Sequence, residues 1–147
     1  MVVCLAMQDA FAQFKRALNE HGSFALITHK RPDGDAIGSL LALTEYVKRL
    51  SRPAQSYCVD EVPGVLKFLP GADAVKKPED DFFRTASAVI MVDCGDLSMA
   101  GAALRDELAA RTILVVDHHA SNPRYGAVNV VFDTMAATAE ILYRFFM

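Results

Sequence analysis

Apolar and polar positions along this chain switch between two periods, and the switches predict its elements. Residues 7–19 place Phe11, Phe14 and Leu18 at helical spacing before His21-Gly22, which predicts an amphipathic helix. The short apolar run Phe24-Ala25-Leu26-Ile27 predicts a first strand. A polar turn over 29–35 follows, then a second helix over 36–50 with Ile37, Leu40, Leu41, Tyr46 and Val47 available to its buried face. Pro53 restarts the chain ahead of a second strand over 55–59, and 62–69 reads as a short helix or turn between Pro63 and Pro70-Gly71. Residues 86–92 form the clearest central strand, continuous and β-branched as a strand covered on both faces should be. A crossover helix over 104–110, a buried strand over 112–116, a further strand over 128–132 and a helix from 135 to the end complete the pattern.

This alternation, without internal repeat or linker, predicts an α/β fold: a mostly parallel, Rossmann-like sheet with helices on both faces. At 147 residues, 52% hydrophobic and 22% charged, the chain is one domain with a sizeable core. Its net charge of −3 excludes a broadly basic surface for coating nucleic acid but leaves room for a local basic pocket. No apolar run reaches the ~18 residues of a membrane span, so no membrane partner is expected. The apolar opening, residues 1–7, is too short and lacks the basic flank of a signal peptide; it reads as an upstream start or added residues, with Met7 the natural beginning. Three cysteines (Cys4, Cys58, Cys94) with no CxxC pair predict reduced, mostly buried thiols and a cytoplasmic location.

The chemistry lies in three polar clusters, each directly after an apolar strand: residues 28–36 (Thr-His-Lys-Arg-Pro-Asp-Gly-Asp-Ala), 92–96 (Val-Asp-Cys-Gly-Asp) and 116–122 (Val-Asp-His-His-Ala-Ser-Asn). In an open parallel sheet the carboxyl ends of the strands share one edge, so these clusters are expected to converge there. They would bring together His29, Asp33, Asp35, Asp93, Asp117, His118 and His119. Alone, each cluster has an ordinary reading: Asp33-Gly34-Asp35 as a turn, Asp93 as a helix cap, His118-His119 as a solvated or core pair. Together, carboxylates packed without counter-charge repel one another, and divalent ions relieve that repulsion. A mixed Asp/His set suits Mn²⁺, Fe²⁺, Co²⁺ or Zn²⁺, and the lack of clustered cysteines argues against a structural zinc site.

The motifs His29-x-x-Pro32-Asp33-Gly34-Asp35-Ala36-x-Gly38-Ser39, Val92-Asp93-x-Gly95-Asp96 and Asp117-His118-His119 resemble those of the DHH (RecJ-like) phosphoesterase family, in order and spacing, from about Phe24 to Phe146. Ser121-Asn122 and the closing Ala136-Ala137-Thr138-Ala139-Glu140 most resemble the oligoribonuclease/pAp-phosphatase branch. The resemblance implies a hydrolase that uses two divalent ions, Mn²⁺ favoured, to activate a shared hydroxide against a phosphate ester of a short single-stranded oligonucleotide or nucleotide (nano-RNA or pAp). It implies that His29 and Asp33 hold one ion, Asp35 and His118 the other, and that Asp93 bridges both. It gives Asp117 the task of orienting a histidine of its motif and His119 a contact with the scissile phosphate. Asp133 is the expected fourth-motif ligand, though Asp133 to Glu140 is a residue tighter than usual. Lys30, Arg31 and Arg124 are either phosphate contacts or solvated cations. Gly34 is expected to permit the turn between ligands, and Gly38-Ser39 a close approach of helix to sheet.

The resemblance implies that members of that branch continue into a smaller, substrate-binding DHH-associated domain; residues 1–147 are expected to correspond to the catalytic domain, with the DHH-associated domain absent from them. The apolar last helix (Ile141, Leu142, Phe145, Phe146) fits core packing or an interface, a homodimer included. Three alternatives stand: a pyrophosphate hydrolase, a cyclic-dinucleotide hydrolase, and a metal- and nucleotide-binding module with little turnover.

Overall fold

The computed structural model describes residues 2–147, with side chains from residue 5 onward; the expectation for Cys4 lies outside the described side chains. Five strands, β1 (Phe24–Ile27), β2 (Ala54–Tyr57), β3 (Ala88–Val92), β4 (Ile113–Asp117) and β5 (Val128–Val131), form one sheet. Their spatial order is β2-β1-β3-β4-β5, and every neighbouring pair is parallel. The helices are α1 (Val2–Glu20), α2 (Gly34–Arg49), α3 (Asp81–Thr85), α4 (Arg105–Ala109) and α5 (Thr138–Phe146).

Period-two alternation in the strands builds two cores. Phe24, Leu26, Ala88, Ile90, Val92, Leu114 and Val116 face α1, α2 and α5 through Phe14, Leu18, Leu40, Leu43, Ile141 and Phe145. Ala25, Ile27, Val89, Met91, Ile113 and Val115 face the opposite way, onto Phe83 of α3 and Leu108 of α4. Helices therefore cover both faces, which is why β1, β3 and β4 read as unbroken apolar runs. Each fully buried Leu or Ile adds about 1.5–3 kcal/mol of transfer free energy, so these strands are the rigid base of the loops at their carboxyl ends.

The differences from expectation have local causes. Helix α2 begins at Gly34 rather than 36, because Asp33 Oδ1 accepts the Ala36 N–H at 2.9 Å and caps it. Strand β2 ends at Tyr57, and the chain then pairs Tyr57 with Lys76 in an isolated bridge. Helix α3, unexpected from the pattern, is one short segment capped by Asp80, whose Oδ1 accepts the Phe83 N–H at 2.9 Å. Helix α5 begins at Thr138, after a turn over 133–136. Gly34 and Gly38 need correction: neither has a positive φ, and a Cβ on either would meet nothing within 4 Å. Helix entry at this turn comes from the Asp33 cap.

Candidate metal centre

The sheet order reverses direction between β1 and β3, so the crevice beyond their carboxyl ends is the place where this topology leaves room for a ligand. Thr28 Oγ1 donates to the Val92 carbonyl at 2.9 Å and ties the two strand ends together. Immediately beyond lie His29 and Asp93. Asp93 has φ 58°, in the left-handed region, where Asp is among the few side chains found with any frequency. Holding it there costs about 1–3 kcal/mol, a strain typical of residues over-determined by a site.

Three imidazoles surround this carboxylate with the same polarity. His29 Nδ1 lies 2.8 Å from the Lys30 carbonyl, His118 Nδ1 lies 3.3 Å from the Met135 carbonyl, and His119 Nδ1 lies 2.7 Å from Asp117 Oδ1. Carbonyls and carboxylates only accept, so each Nδ1 carries the proton and each Nε2 is left for another partner. The His29 Nε2 faces Asp93 Oδ2 at 3.5 Å; the His118 Nε2 faces Asp93 Oδ1 at 3.7 Å and Asp35 Oδ2 at 3.8 Å. A charged hydrogen bond would close to about 2.7–2.9 Å. Two ligands of one ion, with bonds of about 2.0–2.2 Å, stand about 2.8–3.6 Å apart. The 3.5 Å gap lies within that range and the 3.7 and 3.8 Å gaps just beyond it, so nitrogen lone pairs and carboxylate oxygens face one another across spaces that suit divalent cations.

Asp93 is common to two donor groups, His29–Asp33–Asp93 and Asp93–His118–His119, each with ligand atoms within 4.8 Å of one another. Its burial alone would push the carboxyl up, but the adjacent His29 and the Thr138 hydroxyl outweigh that and hold it below the usual carboxylate range. The Asp93 carboxylate in turn raises His29, against the opposing effect of burial. For His119 burial lowers the basicity, and the Asp117 hydrogen bond outweighs it, for a net rise.

Asp117 is fully buried at the end of β4. One oxygen takes the His119 Nδ1–H, and the other accepts from Asn122 Nδ2 at 2.7 Å. Asn122 also donates to the Cys94 carbonyl, so a single amide locks the carboxylate that orients His119. His119, expected at the phosphate, thus lies in the same donor group as His118 and within reach of either role. Cys94 is sealed below: burial first, then the Asp93 and Asp117 charges, push its thiol well up, which removes it as a nucleophile.

Asp35 lies outside both three-residue groups. Its Oδ2 and Oδ1 accept the Thr138 and Ala139 N–H groups at 2.8 Å each, and Ser39 Oγ donates to Oδ1 at 3.2 Å. The fourth-motif residue that reaches the centre is Thr138, fully buried, whose Oγ1 donates to Asp93 Oδ1 at 2.7 Å. Asp133 is not brought in: it is exposed on the turn after β5 and belongs to neither donor group. Arg124 spends its guanidinium on the Val131 carbonyl at 2.9 Å, whereas Lys30 and Arg31 line a cavity with His29 and Met99. Sequence reasoning missed the roles of Thr138 and Asn122; an isolated hydroxyl or amide follows no period.

A model of the DHH family, N-terminal domain, matches residues 23–147. The chain is 33% identical over 121 residues to the bifunctional oligoribonuclease and PAP phosphatase NrnA of Thermus thermophilus, covering 82% of this chain and 35% of that protein. It is 32% identical over 93 residues to a probable manganese-dependent inorganic pyrophosphatase of Exiguobacterium, covering 62% and 29%. A crystal structure of an exopolyphosphatase-related protein from Bacteroides fragilis superposes with a TM-score of 0.86 at 21% identity, over 95% of this chain and 43% of that one, a likeness of fold. The chain spans about a third of the length of the curated relatives it matches. No helix among the described residues is long and apolar enough to cross a membrane. With motifs, fold and family model in agreement over the same residues, the chain belongs to the DHH family and carries its N-terminal domain.

Proposed function

We propose that this chain is the catalytic domain of a metal-dependent phosphoesterase that hydrolyses phosphate esters of short nucleotides, nano-RNA or pAp. The observation that carries the reading is the sharing of Asp93 between two Asp/His donor groups. His29 and Asp33 would hold one ion, Asp35 and His118 a second, and Asp93 both. The manganese dependence in the pyrophosphatase relatives' names supports Mn²⁺. Asp133, exposed on the turn after β5, stands outside both donor groups and is left out of this set.

Divalent ions held there supply Lewis-acid stabilisation of charge building on the phosphoryl oxygens and make water a usable nucleophile near neutral pH. The chain's own residues do the rest. Asp93, fixed by Thr138, sets the spacing of the two donor groups. His119, oriented through Nδ1 by Asp117, would donate from a protonated Nε2 to the phosphate. Asp35, held by backbone N–H groups, is kept in place without side-chain rearrangement.

The test is Mn²⁺-dependent release from pAp, a dinucleotide and pyrophosphate. Faster turnover of the phosphate esters supports the reading. Pyrophosphate preference would favour the second reading, a pyrophosphate hydrolase, which rests on the relatives' names. Mn²⁺ binding with no release from any of the three would leave a binding module. Attack geometry is worth roughly 7–11 kcal/mol when reactants are held well. We expect these 147 residues alone to cleave bis-p-nitrophenyl phosphate slowly, and oligonucleotides with little preference for length. Rates on dinucleotide through pentanucleotide RNA check this, and efficient, length-selective cleavage would contradict it.

A further inference from the structure

The loop after β1 holds an arginine where the backbone would be better served by another residue. Arg31 has φ 51°, in the left-handed region that glycine and asparagine enter with least penalty. Its backbone is pinned from two other strand ends. The Arg31 N–H donates to Asp60 Oδ2 at 2.6 Å, beyond β2, and the Lys30 N–H donates to the Met99 carbonyl at 2.7 Å, beyond β3. Asp60 thus takes the arginine's backbone, not its guanidinium.

The pinned loop directs two cations at one place. Lys30 and Arg31 line a cavity together with His29 and Met99, so one wall of that cavity is a residue of the metal centre. Among the described residues, neither cationic side chain makes a hydrogen bond or lies within 4.0 Å of a carboxylate. Arg124 is the contrast: also left-handed at φ 57°, it has its guanidinium satisfied by the Val131 carbonyl. Strain kept for a side chain that no protein group uses points to a partner outside the chain. A guanidinium and an ammonium from residues lining one cavity suit a phosphate, the arginine through paired N–H groups and the lysine as a point charge.

We propose that Lys30 and Arg31 form an anion subsite for a second phosphate of the substrate, one that is not cleaved. This rests on the phosphoesterase reading of the adjoining centre and narrows its substrates to short nucleotides that carry two phosphate groups. A nucleotide with a single phosphate can fill the metal centre or the subsite, and gains less than one that spans both.

The test is an equilibrium titration of the Mn²⁺-loaded protein with adenosine 3′,5′-bisphosphate, 3′-AMP and 5′-AMP, with phosphate release followed so that only intact ligand is counted. The expected result is binding of the bisphosphate at least tenfold tighter than either monophosphate, with the ratio falling below threefold in R31N and K30Q. R31N should melt no lower than the parent, since asparagine suits this backbone; a loss of affinity then reports the side chain and not the fold. A ratio near one in the parent, a ratio that survives both substitutions, or no binding of any of the three overturns the subsite. Hydrolysis of bis-p-nitrophenyl phosphate, measured alongside, reports separately on the phosphoesterase reading. Turnover without a binding preference refutes only the subsite, and a preference without turnover refutes only the enzyme.

Discussion

The carboxylate of Asp93 meets His29 on one side, His118 on another and the Thr138 hydroxyl on a third, on a backbone bent into the left-handed region. Removing it should disturb both donor groups at once. Asp93→Ala is expected to lower metal-dependent turnover about a thousandfold, which corresponds to roughly 4 kcal/mol of barrier; retention of a tenth of the parent's rate would show that it is not shared. Asp93→Asn keeps the shape and the tolerance for the backbone angle, so its thermal stability should stay near the parent's while its Mn²⁺ affinity falls. The adjacent histidines divide differently. His118 turns Nε2 toward two carboxylates, so His118→Ala should weaken Mn²⁺ binding in a calorimetric titration. His119 is committed through Nδ1 to buried Asp117, so His119→Ala should keep the metal and lose rate. Equal affinity losses in the two variants would contradict that division.

Among the elements, α5 has a disproportionate part. Its first turn gives two backbone N–H groups to Asp35 and one hydroxyl to Asp93. Ala137, at its cap position, has no side chain to spend on those N–H groups, and the Asp35 carboxylate takes them instead. Partners of metal-ligating carboxylates are commonly worth ten- to a hundredfold in affinity or activity. Thr138→Val should therefore weaken Mn²⁺ binding at least tenfold, as read by the free-ion electron paramagnetic resonance signal, and Thr138→Ser should restore most of it. Equal affinities for the valine and serine variants would reduce Thr138 to packing. The same helix shows what could be read in advance and what could not. Strands β1, β3 and β4 announce themselves because both faces are covered, and the polar residues that follow them announce the edge where they gather. Strand β2 begins Ala-Gln-Ser, with Gln55 turned to the sheet's rim and bonded to the Ala74 carbonyl, so its pattern is weak. Thr138 sits in a run of alanines, where one hydroxyl changes no periodicity. Asp133, singled out by type and spacing, stands exposed on the turn over 133–136 and outside both donor groups.

At the scale of the whole molecule, the sheet's parallel topology makes the contacts that join one cluster of the centre to another non-local. Thr28 and Val92 are 64 residues apart, Asp93 and Thr138 45, and Asp35 and Thr138 103. Ions bound by such a set belong to the folded state alone, so at a hundred times the dissociation constant each independent site should add about 2.7 kcal/mol to unfolding. A melting curve that does not move with Mn²⁺ would deny the coupling. The Asp35–α5 bonds carry this further, into the order in which the chain acquires its chemistry. Closing so long a loop is a late event in folding, since its entropy is spent before its contacts form. A chain emerging from the ribosome has most of its donor residues before it has α5, yet Asp35 and Asp93 gain their anchors only when that nine-residue helix docks. Amide exchange at Thr138 and Ala139 should then slow on adding Mn²⁺ more than exchange in the β3 interior, which makes metal uptake a report that α5 has docked.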